Sequence, residues 1–325
     1  MGANNTITRV LVAAVLAAFS SCPFAADYPV RPVRLVVPYV PGGGADIVGR
    51  LLAKKLGDAL GATIVVDNRP GAGGNLGTDL VAKAAPDGYT LLMGNVGPLT
   101  INPSLYAGLP YSPLKDFAPV SLLAVYPNVL VINPSLPANS IGELIAYAKA
   151  HPRQISYGSA GIGSSTHLAA ELLRNMAKID VVHVPYKGGA QALVDLMAGQ
   201  IQMYFSSILG ALPHVKSGKL RALAVTGAKR SRVAPELPTV AESGFPGYEA
   251  SNWVGLLVPA ATPAPVVERL NREIVRSFRD PEVQEKLSAQ GGETETDSPS
   301  EFALYMRSEI AKWSRVVKES GAHAE

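Results

Sequence analysis

Apolar positions in this chain fall into short continuous runs that alternate with stretches where they recur every three or four residues. The runs at 33–37, 64–66 and 89–93 predict strands, and the periodic segments at 46–60 and 76–84 predict helices between them. Strands alternating with helices predict a parallel sheet with helices on its faces. In the first helix Ile47 and Leu51, with Val48, Leu52, Leu56 and Leu60, make one apolar stripe, and Lys54, Lys55 and Asp58 take the wet side.

The alternation then restarts, with strands at 155–158, 181–184 and 220–226 and helices at 165–177 and 190–198. Between the two series lies an apolar stretch at 120–131, interrupted by Pro127 and Asn128, which reads as a strand crossing from one unit to the other. A second crossing at 253–258 follows the proline and glycine punctuation of 235–247. Helices at 266–278 and 302–317 are expected to return to the first unit. The pattern predicts an α/β protein of two domains, residues 27–126 with 252–325 and residues 127–251. Each is a mostly parallel sheet flanked by helices, and two crossover strands form a hinge beside a cleft.

The candidate chemistry sits where strands give way to helices. The segment V-V-P-Y-V-P-G-G-G-A-D-I-V-G at 36–49 breaks a strand at Gly42, Gly43 and Gly44 and restarts at once as a helix. Without a Cβ, these glycines let backbone N–H groups approach a ligand, and the helix adds unpaired N–H groups and a partial positive charge. The expected guest is a carboxylate or phosphate. A nucleotide loop is disfavoured, because no Gly-Lys-Ser/Thr follows and the spacing does not make G-x-G-x-x-G. Asp46 is either a first-turn residue that complements the helix dipole or a holder of a bridging water.

A second cradle runs from Ile155 to His167, with Gly158, Gly161 and Gly163 before a helix capped by Ser164, Ser165 or Thr166. Two such loops, one per unit at the carboxyl ends of strands, would face each other across the cleft and grip one carboxylate from both sides. Neither contains lysine or arginine. His183 to Gly189 is a third glycine turn before a helix, and Lys187 is the one cation beside a candidate cleft loop, otherwise a surface lysine. The loop from Asn68 to Asn75 is ambiguous between a site and a simple turn. A hydrolase using Ser164 and His167 is the alternative reading, weakened by the lack of a G-x-S-x-G elbow and of a third group to orient the histidine. The scattered histidines, with no H-E-x-x-H and no cysteine pair, predict no metal site.

Bulk properties bound the class. In 325 residues, 47% hydrophobic and 17% charged content describes a globular protein, and a net charge of +3 with no basic stripe argues against nucleic acid. Arg9, the apolar run 10–19 and Ala25-Ala26 read as a secretory leader over 1–26, too short for a membrane span. Phe24 fits a cut after Ala26 poorly, and Cys22, the only cysteine, leaves open processing as a lipoprotein.

Six blocks in order then match a family along essentially the whole mature chain: Pro38 to Asp46, Asn68 to Gly74, Pro86 to Leu92, Tyr157 to Ser164, His183 to Gly188 and Gly218 to Thr226. The chain resembles the Bug-type, or TctC-like, substrate-binding receptors of tripartite tricarboxylate transporters. The resemblance implies a periplasmic, monomeric protein of the type II-like periplasmic-binding-protein fold, without a cofactor. It would close on a small carboxylated solute and deliver it to membrane transporter subunits or a sensor kinase. Carried over residue by residue, it implicates Tyr39, Gly43, Asp46, Ser164 and Thr166 around one carboxylate, partly through water, with Asn95, Lys187 and Ser206 toward the rest of the ligand. Gln202 stands where the family often has aspartate, which puts a carboxylate role there in doubt.

Overall fold

The computed structural model describes residues 28–289 and 291–320; the expected leader and Cys22 lie outside them. The first series forms β1 (Val33–Val37), α1 (Gly44–Leu60), β2 (Ile64–Asn68), α2 (Asn75–Ala82) and β3 (Thr90–Asn95), followed by the short α3 (Asn102–Leu105). Strands β2, β1 and β3 lie side by side and parallel. The long β4 (Phe117–Ile132) leads through α4 (Ile141–Ala150) into β5 (Ser156–Ser159), α5 (Ser165–Ala177), β6 (Val182–Pro185), α6 (Gly189–Met197), β7 (Met203–Ser207), α7 (Ile208–Lys216) and β8 (Arg221–Val225). Here β6, β5 and β7 are parallel neighbours. The chain ends with β9 (Ser251–Pro259), α8 (Ala264–Phe278), α9 (Pro281–Ser288), β10 (Glu293–Thr294) and α10 (Pro299–Ser320).

Two strands join the two sheets. Up to Pro127, β4 pairs antiparallel with β9; from Asn128 onward its neighbours are β7 and β8. Proline supplies no N–H to a ladder, so the partner exchange falls where a donor is missing. Thr226 fastens the junction, its hydroxyl accepting from Asn128 N at 2.8 Å and donating to Ala250 O at 2.9 Å. The expected parallel order holds within β2-β1-β3 and β6-β5-β7. Because β4 and β9 run between the units in opposite senses, they add antiparallel ladders, and each sheet is mixed rather than mostly parallel.

Strand alternation sets the core. Leu35, Val37, Val129 and Val131 enter one buried cluster, whereas Val36, Leu130 and Ile132 enter another on the opposite face, so both faces of the continuous sheet are covered. The C-terminal helices return to the first sheet as expected. Asn271 donates to Val120 O at 2.8 Å, and Phe302 packs edge-on against Trp253. The strand β7 and helices α4, α7 and α9 were not legible as separate elements, and β7 matters most because it ends at the site.

Candidate functional site: a neutral cavity between two helix starts

The loop after β1 is tied down before it reaches α1. Gly42 adopts φ +88, a left-handed conformation suited to glycine, and its N–H donates to Asp46 Oδ2 at 2.9 Å. The same carboxylate takes Arg50 Nε at 2.8 Å and, through Oδ1, Asn68 Nδ2 at 2.9 Å; Asn68 also donates to Tyr39 O. Burial alone would raise the Asp46 pKa, but the bonds from Arg50, Gly42 and Asn68 outweigh it and hold the pKa below the usual carboxylate range. Asp46 is thus a loop anchor with both oxygens occupied. It is not among the residues that line the cavity, and its side chain instead ties the loop behind it. With Gly43 extended at the N-cap, the N–H groups of Gly44 and Ala45 have no acceptor among the described residues.

The second loop is held by its own hydroxyls. Ser164 caps α5 by accepting His167 N and donates to Gly161 O at 2.6 Å; Thr166 Oγ1 accepts Ala160 N at 2.9 Å. Gly163, at φ +79, donates its N–H to His167 Nδ1. The imidazole therefore serves the loop backbone and stacks on His183, with ring centroids 4.3 Å apart. No hydrogen bond joins it to the Ser164 hydroxyl, so the nucleophile and base pair of the alternative reading is not formed. Ser165 and Thr166 leave their N–H groups without acceptors among the described residues, as expected at the start of a helix.

The starts of α1 and α5 converge on a cavity of about 50 Å³, room for a few waters or a small polar group. Of the residues the sequence offered for a site, Tyr39, Gly43, Gly44, Asn95, Ser164, Ser165, Thr166 and Ser206 line it. Gly42, Asp46, Gly163 and Lys187 do not. Gly42 and Gly163 shape the loops behind it, and Lys187 is exposed because Gly188, not Lys187, packs against Val40 of the first loop. Asn95 faces the cavity with its polar atoms already committed: its amide donates to Asn252 Oδ1 and Trp253 O, and its oxygen accepts from Tyr39 and Gly97. Through its oxygen it positions Tyr39 at the cavity wall. Gln202 is also structural, accepting Ser156 N at 2.9 Å, and Arg69 pairs with Asp67 at 3.0 Å.

Sequence reasoning missed Tyr126, Tyr204, Ser207 and Asn252, all in the cavity wall. Each is a polar residue within an otherwise apolar strand, a signal that gains meaning once strand ends are placed. Tyr126 and Asn252 are register partners on the two crossing strands, so the cavity floor is the hinge itself. Tyr204 lies in hydrogen-bonding reach of Thr166 and Ser206, and burial raises its pKa, so the phenol stays protonated. No Asp, Glu, Lys, Arg or His is in the wall. The site offers neutral donors and two helix starts, an arrangement that favours an anion.

The anchor makes a prediction. Asp46→Ala should weaken ligand binding by roughly 1 to 3 kcal/mol, because it frees the Gly42 N–H and the Asn68 amide together and loosens the loop before α1. Calorimetry on the variant checks this, and unchanged affinity would remove Asp46 from the site's support.

Residues 48–322 match the family model described as tripartite tricarboxylate transporter family receptor. Protein BugT of Bordetella pertussis is 40% identical over 304 residues, covering 93% of each chain. Among solved structures, R. palustris Rpa4515 with adipate superposes with a TM-score of 0.89 at 38% identity, covering 91% of this chain and 99% of that one. MatC from Rhodopseudomonas palustris with bound malate gives 0.86 at 35%, covering 89% and 100%. Among the described residues, no helix is long and apolar enough to cross a membrane, and no group of three or more His, Cys, Asp or Glu side chains is placed to hold a metal ion.

Proposed function

The chain belongs to the tripartite tricarboxylate transporter receptor family, and from that membership we propose that it is an extracytoplasmic receptor that captures a small carboxylated solute and hands it to membrane transporter subunits or a sensor kinase. The observation that carries this reading is the convergence of two helix starts, one from each sheet, on a cavity with no charged side chain in its wall. A carboxylate between them accepts N–H groups from both, and closing on it ties the two lobes together. The relatives with adipate and malate support the choice of carboxylate over phosphate.

The lobes we propose are residues 27–126 with 252–325 and residues 127–251, hinged where β4 changes partner and β9 begins. The sites we assign are the Gly43 to Ala45 backbone, Tyr39, the Ser165 and Thr166 amides and Ser206. Export with loss of the leader, or lipid attachment at Cys22, accounts for the location, and intact mass separates the two. Native mass spectrometry of the purified exported protein, with identification of whatever denaturation releases, tests the function. A stoichiometric carboxylic acid is expected. A bound cation or a phosphate ester would refute the carboxylate reading.

A further inference from the structure

Most of the hydroxyls around the cavity are already used. Tyr39 donates toward Gly73 O and Asn95 Oδ1, Ser164 toward Gly161 O, and Ser206 toward Ser207 O. Thr166 holds Ala160 N. Two whose oxygens are fully buried are not: Tyr126 Oη and Ser207 Oγ lack any hydrogen-bond partner. Tyr126 itself is only 1% exposed, so the phenol cannot turn to solvent for compensation. Buried polar groups without partners are rare in folded proteins, and each asks for an explanation.

Their placement supplies one. Tyr126 stands on β4 and Ser207 at the end of β7, where Ser207 is the register partner of Asn128. Both oxygens point at the start of α1. A Cβ built on Gly44 would lie 2.5 Å from Ser207 Oγ and 2.9 Å from Tyr126 Oη. Two free hydroxyls from two strands thus lie beside Gly44 in the cavity wall, at the helix start that carries the unpaired N–H groups of Gly44 and Ala45. Two hydroxyl donors, two amide donors and a helix start make a seat for a single anionic oxygen.

Resting on the carboxylate reading above, we propose that Tyr126 and Ser207 form a two-hydroxyl clamp on one carboxylate oxygen of the bound solute, and that they are specificity-determining residues of this receptor. The clamp also brings the ligand onto the hinge, because Tyr126 belongs to a crossing strand. The hydroxyls stay unpaired in the ligand-free protein and gain their partner on capture.

This predicts opposite responses in the two states. Removing a hydroxyl that has no partner does not weaken the ligand-free protein, whereas removing one that holds a carboxylate weakens the complex. The experiment compares wild type, Tyr126→Phe and Ser207→Ala by thermal unfolding without ligand and by calorimetric titration with acetate, malate and adipate. Each variant is expected to unfold at or above the wild-type temperature and to bind the preferred acid roughly 10- to 100-fold more weakly. Wild-type affinity in both variants would overturn the clamp while leaving the carboxylate reading intact. Lower unfolding temperatures in both ligand-free variants would also overturn it, since the hydroxyls would then serve the fold. A wild type that binds none of the three acids would instead count against the carboxylate reading on which the clamp rests.

Discussion

Gly73→Ala is expected to reduce ligand affinity by at least about 100-fold while leaving a folded protein. Gly73 lies in the turn between β2 and α2 at φ +63, and a Cβ there would collide with the backbone carbonyl of Ile162 in the loop after β5. The opposing Gly161 is close as well, with its Cβ position 3.1 Å from Gly73 Cα. Gly97 would place a Cβ 2.9 Å from Gly163 O, and one on Gly188 would collide with Val40. The two lobes therefore meet backbone to backbone along a glycine seam beside the cavity. An alanine at Gly73 cannot be absorbed by a rotamer change, because the obstruction is a main-chain oxygen. The lobes must part, and the two helix starts no longer reach one carboxylate.

The cost falls on the closed arrangement rather than on folding. The left-handed backbone adds roughly 1 to 2 kcal/mol against any non-glycine residue in both open and closed forms, a shift of a few degrees in unfolding temperature. The steric term acts only when the loops meet, and about 3 kcal/mol against closure corresponds to the stated 100-fold. Calorimetric titration with adipate and malate, together with small-angle scattering of the saturated protein, checks this. A variant that binds like wild type and scatters as compactly would show that the seam is not part of capture.

The seam also marks where sequence reading stopped. The helix α1, the strands either side of it and both crossing strands were legible, because each is long, apolar and regularly spaced, and Pro127-Asn128 flagged the place where β4 changes sheets. The cradle loops were legible because a glycine run between strand and helix has few other uses. Asn68 to Asn75 stayed ambiguous between a site and a simple turn, since nothing local distinguishes a glycine that permits a turn from one that permits another loop to touch it. For Asp46 the sequence left a dipole-complementing role and a water-holding role open, and its part in tying the loop was not legible. Its partners Arg50 and Asn68 are four and twenty-two residues away, and the second is brought near only by β2 pairing with β1. The antiparallel ladders of β4 and β9 are non-local, and no periodicity encodes them. Tyr126 and Ser207 were hidden in apolar strands, where a single hydroxyl reads as ordinary.

A second large effect should come from acid. His167 and His183 stack on each other behind the second cradle, and Tyr157 stacks on the outer face of His183 with centroids 4.8 Å apart. His183 Nε2 lies 2.7 Å from Ser159 Oγ, and His167 Nδ1 accepts Gly163 N. Burial pushes His167 down to about 4, against the opposing pull of Glu171, whose charge is shared with Arg174 at 2.6 Å. Burial and then the neighbouring His167 push His183 down to about 3. Both rings are therefore neutral in the folded protein across the neutral range. Because the unfolded chain binds these protons from about pH 6.5 downward and the folded protein does not, stability is fully present above that pH and falls as pH drops toward 4. For His167 alone this amounts to about 2 kcal/mol between pH 7 and 5 and roughly 3 kcal/mol by pH 4. Asp297 acts in the opposite direction: burial raises it to about 6, so between pH 6 and 4 it favours the folded state as it takes up its proton. The histidine contribution is accordingly read as a difference, from urea unfolding at pH 7, 5.5 and 4 in wild type and in a His167→Gln, His183→Gln double variant. The wild type should lose more stability than the variant on acidification, and ligand affinity should fall with it, since a protonated His167 can no longer accept the Gly163 N–H that shapes the cradle. Parallel pH profiles in the two proteins would mean that the stacked pair carries no proton-linked stability.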